Sequence, residues 1–120
     1  MKCKAILIIL LFITSLPAPT FAQALGCDGQ RYRTTVFTDV TVTEAIKFGE
    51  NTTIGGNFQE LYMDVYEPTD DELEARPAVV LAFGGGFVEG SRQSLDGICR
   101  TLASKGFVAA TIDYRLFDQG

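Results

Sequence analysis

The sequence predicts an α/β fold in which two leading strands with antiparallel character run into a parallel βαβ unit. Three observations carry this. Leu61, Met63 and Val65 alternate with Tyr62, Asp64 and Tyr66, the period-2 pattern of a strand with two different faces. Pro77-Ala78-Val79-Val80-Leu81-Ala82-Phe83 is apolar without alternation, as in a parallel strand buried on both faces. Leu95, Ile98, Cys99, Leu102 and Ala103 then fall at i, i+3, i+4, i+7 and i+8, the stripe of an amphipathic helix.

The elements follow in order. Residues 25–34 are polar and read as loose. Thr34 to Thr43, rich in Thr and Val, reads as a strand, and Glu44 to Gly56 as its extension and a turn. Gln59 to Tyr66 is the second strand. Pro68 to Arg76, with Asp70, Asp71, Glu72 and Glu74, reads as a solvated acidic turn. After the buried strand comes a glycine run, then the helix. Ser91 or Ser94 is expected to cap the helix start, Asp96 suits the positive end of its dipole, and Lys105 and Gly106 suit its finish. Phe107 to Tyr114 reads as another buried strand. Strand, helix and strand at this spacing require parallel pairing with a right-handed crossover.

The start of the chain is not part of that domain. Lys2 and Lys4 precede an apolar run from Ala5 to Leu16, Pro17 and Pro19 break it, and Ala22-Gln23-Ala24 is a small-x-small cleavage pattern. This is the pattern of a secretory signal over residues 1–24, cut after Ala24. The run falls short of the roughly 20 apolar residues a spanning helix needs, so no stable membrane anchor is expected. A lipoprotein reading would use Cys27, but Ala24-Leu25-Gly26-Cys27 matches that motif only in part. Export places the mature protein outside the cytoplasm, secreted or periplasmic. Asn51-Thr52-Thr53 fits the glycosylation sequon, which matters only in a eukaryotic secretory route.

The full sequence has 120 residues, 10 basic and 15 acidic. Removing residues 1–24 takes two lysines and leaves a net charge of −7. Nucleic acid, whose phosphates would repel such a chain, is excluded as a partner. Two cysteines remain, Cys27 and Cys99. Export makes a disulfide between them possible; the other reading makes Cys99 a small apolar core residue. There is no histidine, so the chain cannot supply the imidazole base that a serine hydrolase normally uses. About 96 residues ending on a parallel strand also read as a domain cut short, with residues 25–120 its N-terminal portion.

The chemistry sits in Phe83-Gly84-Gly85-Gly86-Phe87, between a buried strand and a helix. Three consecutive glycines are costly in chain entropy. They suit a backbone that turns sharply or that presents N–H groups to a ligand. Two adjacent N–H groups aimed at one point make an oxyanion hole, where such a donor contributes about 2.7–4 kcal/mol. A plain tight turn is the alternative reading of the same glycines. Phosphate-binding readings fail. Gly85 and Gly90 have P-loop spacing, but Ser91 stands where the lysine must be and Arg92 where Ser or Thr must hold Mg²⁺. Glu89 occupies the place of the third glycine of the dinucleotide fingerprint.

The run from Leu61 to Leu116 resembles the opening of α/β-hydrolase carboxylesterases, including the hormone-sensitive-lipase-like and feruloyl/acetyl-xylan-esterase-like groups. Leu61-Tyr62-Met63-Asp64-Val65-Tyr66-Glu67-Pro68 is similar to the family's second strand with its Tyr-x-Pro turn. Phe83 to Phe87 is similar to its His-Gly-Gly-Gly-Phe loop, and Ile112-Asp113-Tyr114-Arg115-Leu116 to the Asp-Tyr-Arg-Leu end of its fourth strand. The resemblance implies that this chain is the N-terminal part of an α/β-hydrolase sheet. It further implies that Gly85 and Gly86 donate oxyanion N–H groups, that Gly84 gives room to turn, and that Phe83 and Phe87 support the loop. Phe83 replaces the family histidine, so the loop must be held by packing. No Gly-x-Ser-x-Gly is present, and Asp113 belongs to the structural segment, not to a triad. The expected activity is hydrolysis of a carboxylic ester through an acyl-enzyme by the full-length protein, with the triad downstream of Gly120 and this chain alone inactive. The expected substrate is a small-molecule or polysaccharide-linked ester, with no cofactor and no metal. A non-catalytic hydrolase-like binding module is the alternative.

Overall fold

The computed structural model describes residues 29–117. The proposed signal sequence, its cleavage site and Cys27 lie outside the described residues. Four strands form one sheet: β1 (Val40–Thr52), β2 (Phe58–Pro68), β3 (Ala78–Ala82) and β4 (Val108–Ile112), with spatial order β1-β2-β4-β3. β1 pairs antiparallel with β2, β2 antiparallel with β4, and β3 parallel with β4. A helix, α1 (Asp96–Ser104), links β3 to β4, preceded by a 3₁₀ turn at Arg92–Leu95. The α/β class, the antiparallel leading strands and the parallel βαβ unit are those read from the sequence.

The apolar stripe of α1 packs Cys99 and Ala103 against Tyr66 of β2 and Ala109 of β4. Burial, with Asp96 nearby, pushes the Tyr66 phenol up to about 12, so it stays protonated. The first strand begins later than Thr34. Val36 and Phe37 instead donate their N–H groups to the Ser104 carbonyl, which satisfies the exposed end of α1 rather than extending the sheet. β1 then continues to Thr52 with an irregularity between Thr43 and Ile46. There Ala45 takes a left-handed φ of 55° and donates its N–H to Asp64 Oδ1 at 2.7 Å.

Three further expectations are corrected. β3 is not buried on both faces: it lies at the edge of the sheet, and Val80 is 64% exposed. An apolar run signals a parallel strand but not whether a second neighbour covers it. Neither Ser91 nor Ser94 caps the helix with its side chain. Ser94 Oγ donates back to the Ser91 carbonyl at 2.7 Å. The acidic turn is also more than a solvated loop. Asp71 accepts a bidentate pair from Arg31, and its side chain is 4% exposed. Arg31 therefore docks the segment before β1, which is held further by Tyr32 N–H on the Lys105 carbonyl at 2.7 Å. No helix among the described residues is long and apolar enough to cross a membrane.

Candidate active site

Because β3 and β4 are parallel, the segments that leave them emerge at the same end of the sheet. Phe83–Gly90 follows β3 and Asp113–Phe117 follows β4. Ligands of open parallel sheets bind outside the carboxyl ends of the strands, and this end carries the glycine loop.

The loop is built on left-handed backbone. Gly85 has φ 148°, Gly86 62°, Phe87 65° and Gly90 121°. The Gly85 carbonyl accepts N–H groups from Val88 at 3.1 Å and Glu89 at 3.3 Å, closing a turn that folds the chain back on itself. That closure is why Gly85 cannot carry a side chain: a Cβ there would lie 1.8 Å from the Glu89 carbonyl oxygen. Gly86 and Gly84 have open space at the same position. Neither the Gly85 nor the Gly86 amide has a hydrogen-bond partner among the described residues.

Phe83 is buried, with its ring stacked on Tyr114 at 4.4 Å between centroids and 24° between planes. The Tyr114 hydroxyl donates to the Phe83 carbonyl at 2.8 Å. Gly90 passes so close that a Cβ there would meet the Phe83 ring at 2.5 Å. Phe87 reaches the edge of the Tyr114 ring at 5.7 Å, and its carbonyl accepts the Phe117 N–H at 2.6 Å. Both ends of the loop are thus fixed to the segment after β4, through rings and through backbone. An apolar cleft of about 210 Å³ opens beside Phe87, lined by Thr53, Ile54, Arg115, Leu116 and Phe117.

Beneath the loop lies a charge cluster that the sequence reading did not identify. Arg92, the first residue of the 3₁₀ turn, places Nε 2.9 Å from Asp64 Oδ2 and Nη1 2.8 Å from Asp113 Oδ2. Its carbonyl accepts the Thr111 hydroxyl at 3.0 Å. Asp113 in turn receives the Tyr62 N–H at 3.3 Å. Burial works against the Arg92 charge, but Asp64 and Asp113 outweigh it and hold the guanidinium pKa above its ordinary value. The signal available in the sequence was the pair of aspartates, each placed within or just after an otherwise apolar strand. A carboxylate there needs a cationic partner.

Cys99 is a fully buried free thiol, and burial raises its pKa. Its expected partner Cys27 lies outside the described residues. Among the described residues no cluster of three or more His, Cys, Asp or Glu side chains could hold a metal ion.

Residues 63–120 match the model of BD-FAE, a family of α/β-hydrolase esterases. Esterase B of Lactobacillus rhamnosis is 26% identical, with a TM-score of 0.52 over 79% of this chain and 29% of that one. The same esterase in its tributyrin phosphonate form gives 26% identity and a TM-score of 0.53 over 68% and 25%. A hyperthermophilic esterase from Pyrobaculum calidifontis is 37% identical over 67% of this chain and 22% of that one, with a TM-score of 0.44. The chain spans about a quarter of the length of these esterases.

Proposed function

We propose, from the premise that this chain carries part of an α/β-hydrolase esterase domain of the BD-FAE family, that it supplies the oxyanion-stabilising loop of an exported serine esterase. A serine outside residues 1–120 attacks the ester carbonyl after a histidine takes its proton. The carbonyl oxygen becomes an oxyanion and accepts the N–H groups of Gly85 and Gly86. Collapse of the tetrahedral intermediate expels the alcohol, protonated by the same histidine, and leaves an acyl-serine. Water then hydrolyses it through a second oxyanion in the same place.

The observation that supports this reading is the pair of consecutive amides without partners on a glycine backbone, at the carboxyl end of a parallel strand. Donors fixed before the reaction need no reorganisation when charge develops, which is why they lower the barrier. The chain is exported by cleavage after Ala24, and the ester's non-reacting groups lie along the apolar cleft beside Phe87.

The test is hydrolysis of short-chain nitrophenyl esters. The full-length protein is expected to turn them over and to lose that activity on treatment with a serine-directed phosphonate. The 120-residue chain alone is expected to show no turnover above background. Inhibitor-sensitive turnover by the short chain, or none by the full-length protein, would contradict the proposal.

A further inference from the structure

We infer that Arg92 is a positioning residue for the glycine loop, holding the Gly85 and Gly86 amides in place through Asp64 and Asp113. The inference deepens the esterase reading and rests on it for its catalytic consequence, though not for its structural one.

Each side of the loop is fixed differently. Its start is continuous with β3 and is held by Phe83 against Tyr114. Its far side runs through Gly90, which has no side chain, into the 3₁₀ turn, whose capping residue Ser91 makes no side-chain cap. Beyond Phe87, which is tied to the segment after β4, Arg92 is the first residue attached to the strands themselves. Its guanidinium bridges β2 at Asp64 and the end of β4 at Asp113, and its carbonyl is bonded to Thr111 of β4. The guanidinium is planar and always charged, so two carboxylates on different strands define its orientation.

The two aspartates are themselves fixed. Asp64 is 3% exposed and uses its other oxygen to bind the strained Ala45 amide in β1. Asp113 Oδ2 accepts the Tyr62 N–H, and the Asp113 N–H donates to the Tyr62 carbonyl at 2.8 Å. The loop's exit is therefore tied to three strands through one side chain. Without Arg92, two carboxylates facing the same enclosed space would repel each other, and Asp64 would lose its partner in a buried site. Catalytic donors tolerate little displacement, since a shift of about 1 Å can cost about 100-fold in rate. Arg92 does not reach the reacting atoms in this scheme; it acts only through the loop.

The experiment uses the full-length protein with Arg92→Met, Arg92→Lys and Arg92→Ala. Two readouts are taken: kcat and KM per phosphonate-titrated active site, and amide hydrogen exchange resolved at Val88 and Glu89, the donors to the Gly85 carbonyl. Arg92→Met is expected to lower kcat about 10- to 100-fold with KM within about twofold, and to speed exchange about tenfold at Val88 and Glu89, whose N–H groups close the loop on the Gly85 carbonyl. Arg92→Lys, which keeps the charge without the fork, is expected to fall between. Millimolar guanidinium is expected to restore part of the Arg92→Ala rate. Unchanged exchange and unchanged kcat per active site overturn the inference, as does a loss confined to the fraction of titratable sites. If Arg92→Met does not fold, Asp113→Asn, which removes one of the two anchors, is read by the same criteria. If the wild-type protein shows no phosphonate-sensitive turnover, the esterase reading fails and exchange at Val88 and Glu89 alone decides the role of Arg92.

Discussion

A methyl group at Gly85 would lie 1.8 Å from the Glu89 carbonyl oxygen, whereas at Gly84 or Gly86 it would meet nothing within 4 Å. The three adjacent glycines are therefore not equivalent. Gly85→Ala must open the turn that aims the amides, and kcat is expected to fall more than about 100-fold. Gly86→Ala faces only the left-handed backbone, a cost of about 1–2 kcal/mol, and is expected to retain activity at reduced thermal stability. Gly84 has ordinary backbone and free space, so Gly84→Ala is expected to behave like wild type. Steady-state kinetics and thermal melting of the three full-length variants check the series. From the sequence, the glycine run was legible as a backbone device, but which glycine is obligatory was not. That depends on the Val88 and Glu89 N–H groups folding back onto Gly85, a conformation no residue type in the run announces.

At the scale of elements, β2, α1 and β4 were legible because their patterns come from burial. Alternation in β2, the stripe in α1 and the apolar run of β4 each follow from one face or two meeting the core. The start of β1 and the acidic turn were not legible. Thr34–Phe37 has strand-like composition, yet the Val36 and Phe37 amides go to the Ser104 carbonyl at the end of α1. Asp70, Asp71, Glu72 and Glu74 are alike in sequence, and it is Arg31, with Arg76 3.7 Å away, that singles out Asp71. The Arg31 guanidinium, against the opposing effect of burial and with help from the Leu73 N–H, lowers the Asp71 pKa below its ordinary value of 3.8. A carboxylate whose folded pKa is depressed stabilises the fold above its unfolded value, and the contribution is lost as pH falls through the folded one. The docking of the pre-β1 segment is therefore expected to weaken in acid, below about pH 4. In Asp71→Asn the melting temperature should be lower at neutral pH and should fall less steeply between about pH 4 and pH 2 than in wild type. Circular-dichroism melts across that range measure both slopes.

The whole described molecule is a four-stranded sheet with cover from one helix and a parallel strand at its edge. The core includes Tyr66, Cys99, Ala103 and Ala109, small side chains with one large ring. Meanwhile Val80 on β3 and Ile98 on α1 are more than half exposed. An edge strand with free N–H and C=O groups and an exposed apolar side chain pairs readily with another chain. The 120-residue chain by itself is expected to self-associate at micromolar concentration, and Val80→Lys to shift it toward monomer. Size-exclusion chromatography with light scattering distinguishes the two states. A monomeric wild-type chain would contradict the expectation. That β3 lies at an edge was beyond the sequence, because the residues of a strand record how apolar its surroundings can be and not whether a neighbour stands beside it.

The stacking of Phe83 on Tyr114 holds the glycine loop without an imidazole. A loop held by an imidazole would change its charge and its hydrogen bonding near neutral pH. This loop is held by two aromatic rings, a tyrosine hydroxyl and a guanidinium, and the chain contains no histidine. The guanidinium stays charged, and no imidazole is present to titrate between pH 5 and 8. In the proposed esterase, the glycine loop is therefore held without an imidazole whose protonation could move it across that range. A neutral-pH limb in the activity profile of the esterase would therefore report the reacting half, undistorted by the scaffold that receives the charge.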